Sequence, residues 1–154
     1  MRSAIFPLFL AAVFLSACSP EPKPVPEKKA VAKPADATRY FSATNRVEVK
    51  IVDDHLLGHD FLPGGNIAHY RNGKQEFDVI LIKSSGPEAA ALLLYSYKQK
   101  LTNPKVIAIF GGFAGKDGER PAFLFAKGPW LCGVLDLPEA EADLIARDLA
   151  ARLN

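Results

Sequence analysis

Short connections between strand-like runs constrain this chain more than any other feature. Val47, Val49 and Ile51 alternate with Glu48 and Lys50, the period of a half-buried strand. Residues 67–71 and 74–83 flank Asn72-Gly73, two residues that tolerate positive φ, which predicts a two-residue hairpin. Residues 106–110, 122–126 and 130–135 are further apolar runs of strand length, the last two separated only by Lys127-Gly128-Pro129. Parallel neighbours need a crossover of a dozen or more residues, so strands joined this tightly pair antiparallel.

Two segments carry a helical period instead. Ser85-Gly86-Pro87-Glu88 opens the first; proline suits a first turn and glutamate the positive end of the helix dipole. Ala90, Leu93, Leu94, Tyr97 and Leu101 form its apolar stripe, and Asn103-Pro104 stops it. Pro138-Glu139 opens the second, whose stripe is Ala142, Ile145, Ala146, Leu149 and Leu153. The pattern predicts an α+β fold: an antiparallel sheet of about five to six strands with two packed helices, ordered strand, hairpin, helix, three strands, helix. The strands at Ile80, Ile107 and Phe123 read as apolar on both faces. Either the helices cover opposite faces as a three-layer sandwich, or both lie on one face and leave an apolar surface for a partner. Each half ends in a helix, which raises an internal duplication.

The N-terminus is a different material. Met1-Arg2-Ser3 carries one charge, residues 5–15 hold no polar side chain, and Ser16-Ala17-Cys18 closes the run with small residues. This is the pattern of a secretory signal peptide. A membrane-spanning helix needs about 20 apolar residues, more than the run holds. Leu15-Ser16-Ala17-Cys18 resembles the lipobox of bacterial lipoproteins. The resemblance implies a diacylglyceryl group on Cys18, cleavage before it, and attachment to a membrane. In enterobacterial lipoproteins an aspartate after the cysteine signals inner-membrane retention. Ser19 in that place implies the outer membrane, facing the periplasm in a Gram-negative cell. Two acyl chains make a durable anchor, each buried methylene contributing about 0.8 kcal/mol.

Residues 18–39 read as the acylated cysteine and a tether. Pro20, Pro22, Pro24, Pro26 and Pro34 stand among Lys23, Lys28, Lys29 and Lys33, and no aromatic residue lies between Cys18 and Tyr40. Alternate prolines favour extended polyproline II, about 3.1 Å per residue. A Pro-rich ligand for an envelope or cell-wall partner is the alternative. The expected organisation is signal peptide 1–17, tether 18–39 and one globular domain 40–154.

From Tyr40 onward there are 13 Lys plus Arg and 14 Asp plus Glu, so the domain lacks the basic surplus that gripping nucleic acid requires. Once Cys18 is acylated, Cys132 is the one free thiol, and its apolar setting predicts a small core residue.

Candidate sites are few. His55 and His59 stand four apart beside Asp60, a spacing that on a helix would allow zinc. The glutamate of the zinc-peptidase pattern is missing, and Gly58, Pro63, Gly64 and Gly65 argue for a loop. Gly111, Gly112 and Gly115 precede Lys116, but Phe110 and Asp117 occupy places where a phosphate loop needs glycine and a hydroxyl residue. These glycines read as a wide turn bearing Phe113 at its tip. Ser84-Ser85 lacks a nucleophile elbow and reads as a helix cap.

Residues 61–66 (Phe-Leu-Pro-Gly-Gly-Asn), residues 89–98, Gly111-Gly112-Phe113-Ala114-Gly115 and residues 127–134 together resemble a group of uncharacterised bacterial exported proteins. They are domains of unknown function, and the likeness spans most of residues 60–153. It implies no catalytic residue.

The sequence therefore predicts a non-enzymatic, cofactor-free binding or interaction module at the cell envelope. Its expected partners are the membrane, through Cys18, and an envelope protein or cell-wall component. The expected contact surfaces are the 111–120 segment (Gly111, Gly112, Phe113, Gly115) and the 60–66 segment (Pro63, Gly64, Gly65), because function concentrates on loops. The alternatives are a metal-assisted hydrolase using His55, His59 and Asp60, and a carrier with a small-molecule or lipid cavity between sheet and helix.

Overall fold

The computed structural model describes residues 33–108 and 110–153. The leader, Cys18 and tether residues 19–32 lie outside the described residues. Seven strands among the described residues form one antiparallel sheet: β1 (Arg46–Asp54), β2 (Pro63–Asn72), β3 (Gln75–Lys83), β4 (Thr102–Ile107), β5 (Gly112–Asp117), β6 (Arg120–Lys127) and β7 (Trp130–Leu135). Their spatial order is β1-β2-β3-β7-β6-β5-β4. Helix α1 (Pro87–Lys98) carries the chain from β3 to the far edge, and α2 (Glu139–Arg152) follows β7. Neither is long and apolar enough to cross a membrane.

Successive strand residues point to opposite faces, and register turns that alternation into two apolar layers. On one face Ala68, Val79, Val134, Phe123 and Ala114 stand opposite one another across β2, β3, β7, β6 and β5. They join Ala142, Ala146 and Leu149 of α2 in one core. On the other face Ile67, Ile80, Gly133, Leu124 and Phe113 form the neighbouring row. That row meets Leu94 and Tyr97 of α1. The helices therefore cover opposite faces, and the fold is a three-layer α/β/α sandwich. This explains why β3, β6 and β7 each carry an apolar run that is buried on both faces: each fully buried Ile, Leu or Phe contributes roughly 1.5–3 kcal/mol, and both faces collect it.

Several details differ from the sequence reading. Among the described residues there are seven strands where five to six were expected, because the glycine-rich 112–117 segment is a strand and not a turn. Asn103-Pro104 does not merely stop α1; both lie in β4, which begins at Thr102. The edge tolerates a residue without an N–H donor, and Asn103 takes a left-handed φ of 51° where the β4–β5 register shifts. The hairpin pairs Asn72 with Gln75, so its two-residue loop is Gly73-Lys74, with Gly73 at φ 63°. Glycine at the first loop position suits the turns that match strand twist.

The two halves share an order of elements but not a symmetry. β3 and β7 are antiparallel neighbours. A rotation carrying one onto the other within a sheet preserves the faces, and would place both helices on one side. They lie on opposite sides, so no rotation relates the halves.

The folded body also reaches further back than Tyr40. Ala37 is fully buried and Phe41 nearly so, in the core beneath α2. Buried Asn66 on β2 accepts a hydrogen bond from the Ala37 amide at 3.0 Å and donates one to the Ala35 carbonyl at 2.9 Å. A single side chain thus clamps the incoming backbone at two points.

Candidate functional site

The two segments expected as contact loops are built into the sheet. Pro63, Gly64 and Gly65 open β2 opposite Asp54, Asp53 and Val52 of β1. A Cβ on Gly64 would lie 2.1 Å from the Asp53 carbonyl oxygen, so this glycine exists for backbone approach. Gly112 is under the same constraint, 2.1 Å from the Leu124 carbonyl oxygen. Phe113 packs into the α1-side core with Lys98 over its ring. Gly115 lies against Leu101 and Thr102, and only Gly111, at φ 60°, keeps the freedom of a turn. The glycines answer to sheet packing, and Phe113 is not an exposed tip.

The histidines part company. His55 is exposed, with Nε2 3.7 Å from Asp54. His59 turns inward: its Nε2 lies 2.8 Å from Asp117 Oδ2 on β5. The same oxygen accepts a 2.8 Å hydrogen bond from the hydroxyl of Tyr97. Phe61 and Tyr97 pack against the His59 ring with centroids 5.2 and 5.5 Å away. Asp60 is exposed. Among the described residues, no group of three or more His, Cys, Asp or Glu is placed to hold a metal ion.

A second ionic chain adjoins this one, since Asp117 stands opposite Arg120 in the β5–β6 register. Arg120 donates to Asp136 at 2.9 and 3.1 Å and to Asp78 at 2.6 Å. Asp78 in turn receives His69 Nδ1 at 2.9 Å. Hydrogen bonds and charge from both aspartates hold the Arg120 pKa above its ordinary value. Burial, with Asp117 beside it, raises that of Tyr97. A histidine oriented by a carboxylate is a general-base geometry. Among the described residues no serine, threonine or cysteine hydrogen-bonds to either ring, and each carboxylate is spent on a protein partner. The network joins β2, β3, β5, β6 and the 55–62 segment over one end of the α1 face.

The opposite face holds a cavity. α2 packs over β6 and β7, and its flank, with the chain at Ser42 to Asn45, borders the β2–β3 half of the same face, where Tyr70, Phe77 and Val79 are buried. There a groove of about 330 Å³ remains between that hairpin, the α2 flank and the chain at Ser42 to Asn45. Tyr70 and Phe77 form its floor as a cross-strand pair, rings stacked at 4.9 Å and nearly parallel, with Val79 beside them. Leu144, Ile145 and Leu149 of α2 form the wall. Leu144 is 67% exposed, as an apolar side chain lining an open groove should be. The Tyr70 hydroxyl donates to the Ser42 carbonyl at 2.9 Å, and burial pushes its pKa up to about 12. Gln75 donates to Glu141 at 2.7 Å across the rim.

None of the groove residues was singled out as a site from the sequence. The available signal was Leu144, an apolar residue off the α2 stripe. Cys132 is fully buried in the same core, and burial raises its thiol pKa, which keeps it protonated and unreactive. Comparison with protein-family models, curated proteins and solved structures finds no match.

Proposed function

We propose that this chain is a membrane-tethered binding module, held by acylated Cys18, whose groove beside α2 receives a small apolar group. The observation that carries this reading is the groove itself. Its volume of about 330 Å³ falls in the range of small-molecule sites, its floor and wall are aromatic and aliphatic, and its polar groups gather at the rim. The ordered carboxylates of the α1 face are spent on protein partners, so that face offers binding chemistry a poorer start.

The test uses the mature chain carrying Cys18→Ser, which keeps every residue of tether and domain without acyl groups. Titration with 1-octanol, followed by amide and methyl chemical shifts, should move Tyr70, Phe77, Val79 and Ile145 together. Ile145→Trp, which fills the groove with its own ring, should abolish those shifts. Shifts confined to other surfaces, or unchanged by Ile145→Trp, would remove the groove from the account.

A further inference from the structure

The lining of the groove bears on the charge of its occupant, and this inference rests on the reading just given. Two carboxylates line it, Glu141 and Asp148, and no lysine, arginine or histidine does. The two are not equivalent. Helix α2 carries four carboxylates, and three of them hold a cation: Glu139 pairs with Lys105, Asp143 with Arg147 and Asp148 with Arg152. Glu141 is the fourth. It receives only the Gln75 carboxamide at 2.7 Å, a neutral donor, and among the described residues no salt bridge reaches it. The one α2 carboxylate without a cation is thus one that lines the groove.

Two guanidiniums act on the groove from outside its lining, those of Arg46 and Arg152, both within electrostatic reach of the Tyr70 hydroxyl. Arg46 turns to the Thr38 and Phe41 carbonyls at 3.2 Å each. Arg152 is held by Asp148 through hydrogen bonds at 2.8 and 3.1 Å. Asp148 lies seven residues beyond Glu141, about 10 Å along the helix, so Arg152 is too far on to pair with Glu141. Leu144 and Ile145 follow Glu141 by three and four residues, which puts the carboxylate and the apolar wall on one face of α2. We propose that the groove takes an amphiphilic cation, its apolar tail against Tyr70, Phe77 and Ile145 and its ammonium head beside Glu141.

The experiment titrates the mature chain carrying Cys18→Ser with octylamine, 1-octanol and octanoate at neutral pH, each below its micelle concentration, and with methylamine alone. An ion pair at a solvent-exposed rim should make octylamine bind up to about fivefold more tightly than 1-octanol, and octanoate should bind more weakly than either. The preference should shrink as salt is raised, because an exposed pair is screened. Methylamine alone should not bind. Glu141→Gln should bring octylamine down to the affinity of 1-octanol. Octanoate or 1-octanol binding as tightly as octylamine would overturn the proposal while leaving the apolar groove standing. So would a preference that survives Glu141→Gln, or methylamine binding as well as octylamine. No binding by any octyl ligand would overturn the groove reading as well.

Discussion

Replacing Asn66 with alanine removes the clamp that fastens the incoming chain to the sheet, and the structure sets the size of the effect. The side chain is 1% exposed and makes two hydrogen bonds, to the Ala37 amide and the Ala35 carbonyl. Ala37 is fully buried, so its N–H would lose its partner with no water to replace it, at a cost of about 1–3 kcal/mol. Ala35 is exposed, and its carbonyl can turn to solvent at little cost. Release of the segment caps the penalty, because freeing Phe41 from the core forfeits roughly 1.5–3 kcal/mol. The expected loss is therefore about 2–3 kcal/mol, a fall in Tm of roughly 10 °C for a domain of this size. Thermal unfolding gives the total, and hydrogen exchange at the Ala37 amide locates it. Asn66→Leu fills the same space without either hydrogen bond and should lose nearly as much, which separates the clamp from a cavity effect. A Tm within about 2 °C of the parent, with Ala37 exchange unchanged, would refute the reasoning.

Three other outcomes are open to measurement. Gly64→Ala should cost about 3 kcal/mol or more, because the new Cβ meets the Asp53 carbonyl oxygen at 2.1 Å; denaturant unfolding that matches the parent would return Gly64 to the contact surface. Tyr70, with its folded pKa raised to about 12 from an ordinary value near 10, contributes stability that is fully present below about pH 10 and lost as pH rises towards 12, since only the unfolded phenol ionises in that window. Urea midpoints across that window should fall, and less steeply in Tyr70→Phe. Cys18→Ser should move the protein from the membrane fraction to the soluble one and remove the acyl mass from the mature N-terminus; a serine variant that stays with the membranes would end the anchor proposal.

The sequence by itself determined the class of fold and most of its elements. Alternation, short connections and proline-opened apolar stripes are local signals, and they place β1, β3, β6, β7 and both helices within a few residues of where they lie. Glycine was the point of failure. In residues 111–115 and 63–65 it signals a turn by frequency, whereas here it serves the close approach of neighbouring strands. That requirement arises only once Asp53 and Leu124 have been brought alongside. Which face each helix covers was equally out of reach, since a strand apolar on both sides fits either arrangement. The groove lies where the flank of α2 meets the β2–β3 hairpin, above the buried Tyr70 and Phe77. Such a groove depends on where two separately legible elements come to rest, and no periodicity within either one encodes it.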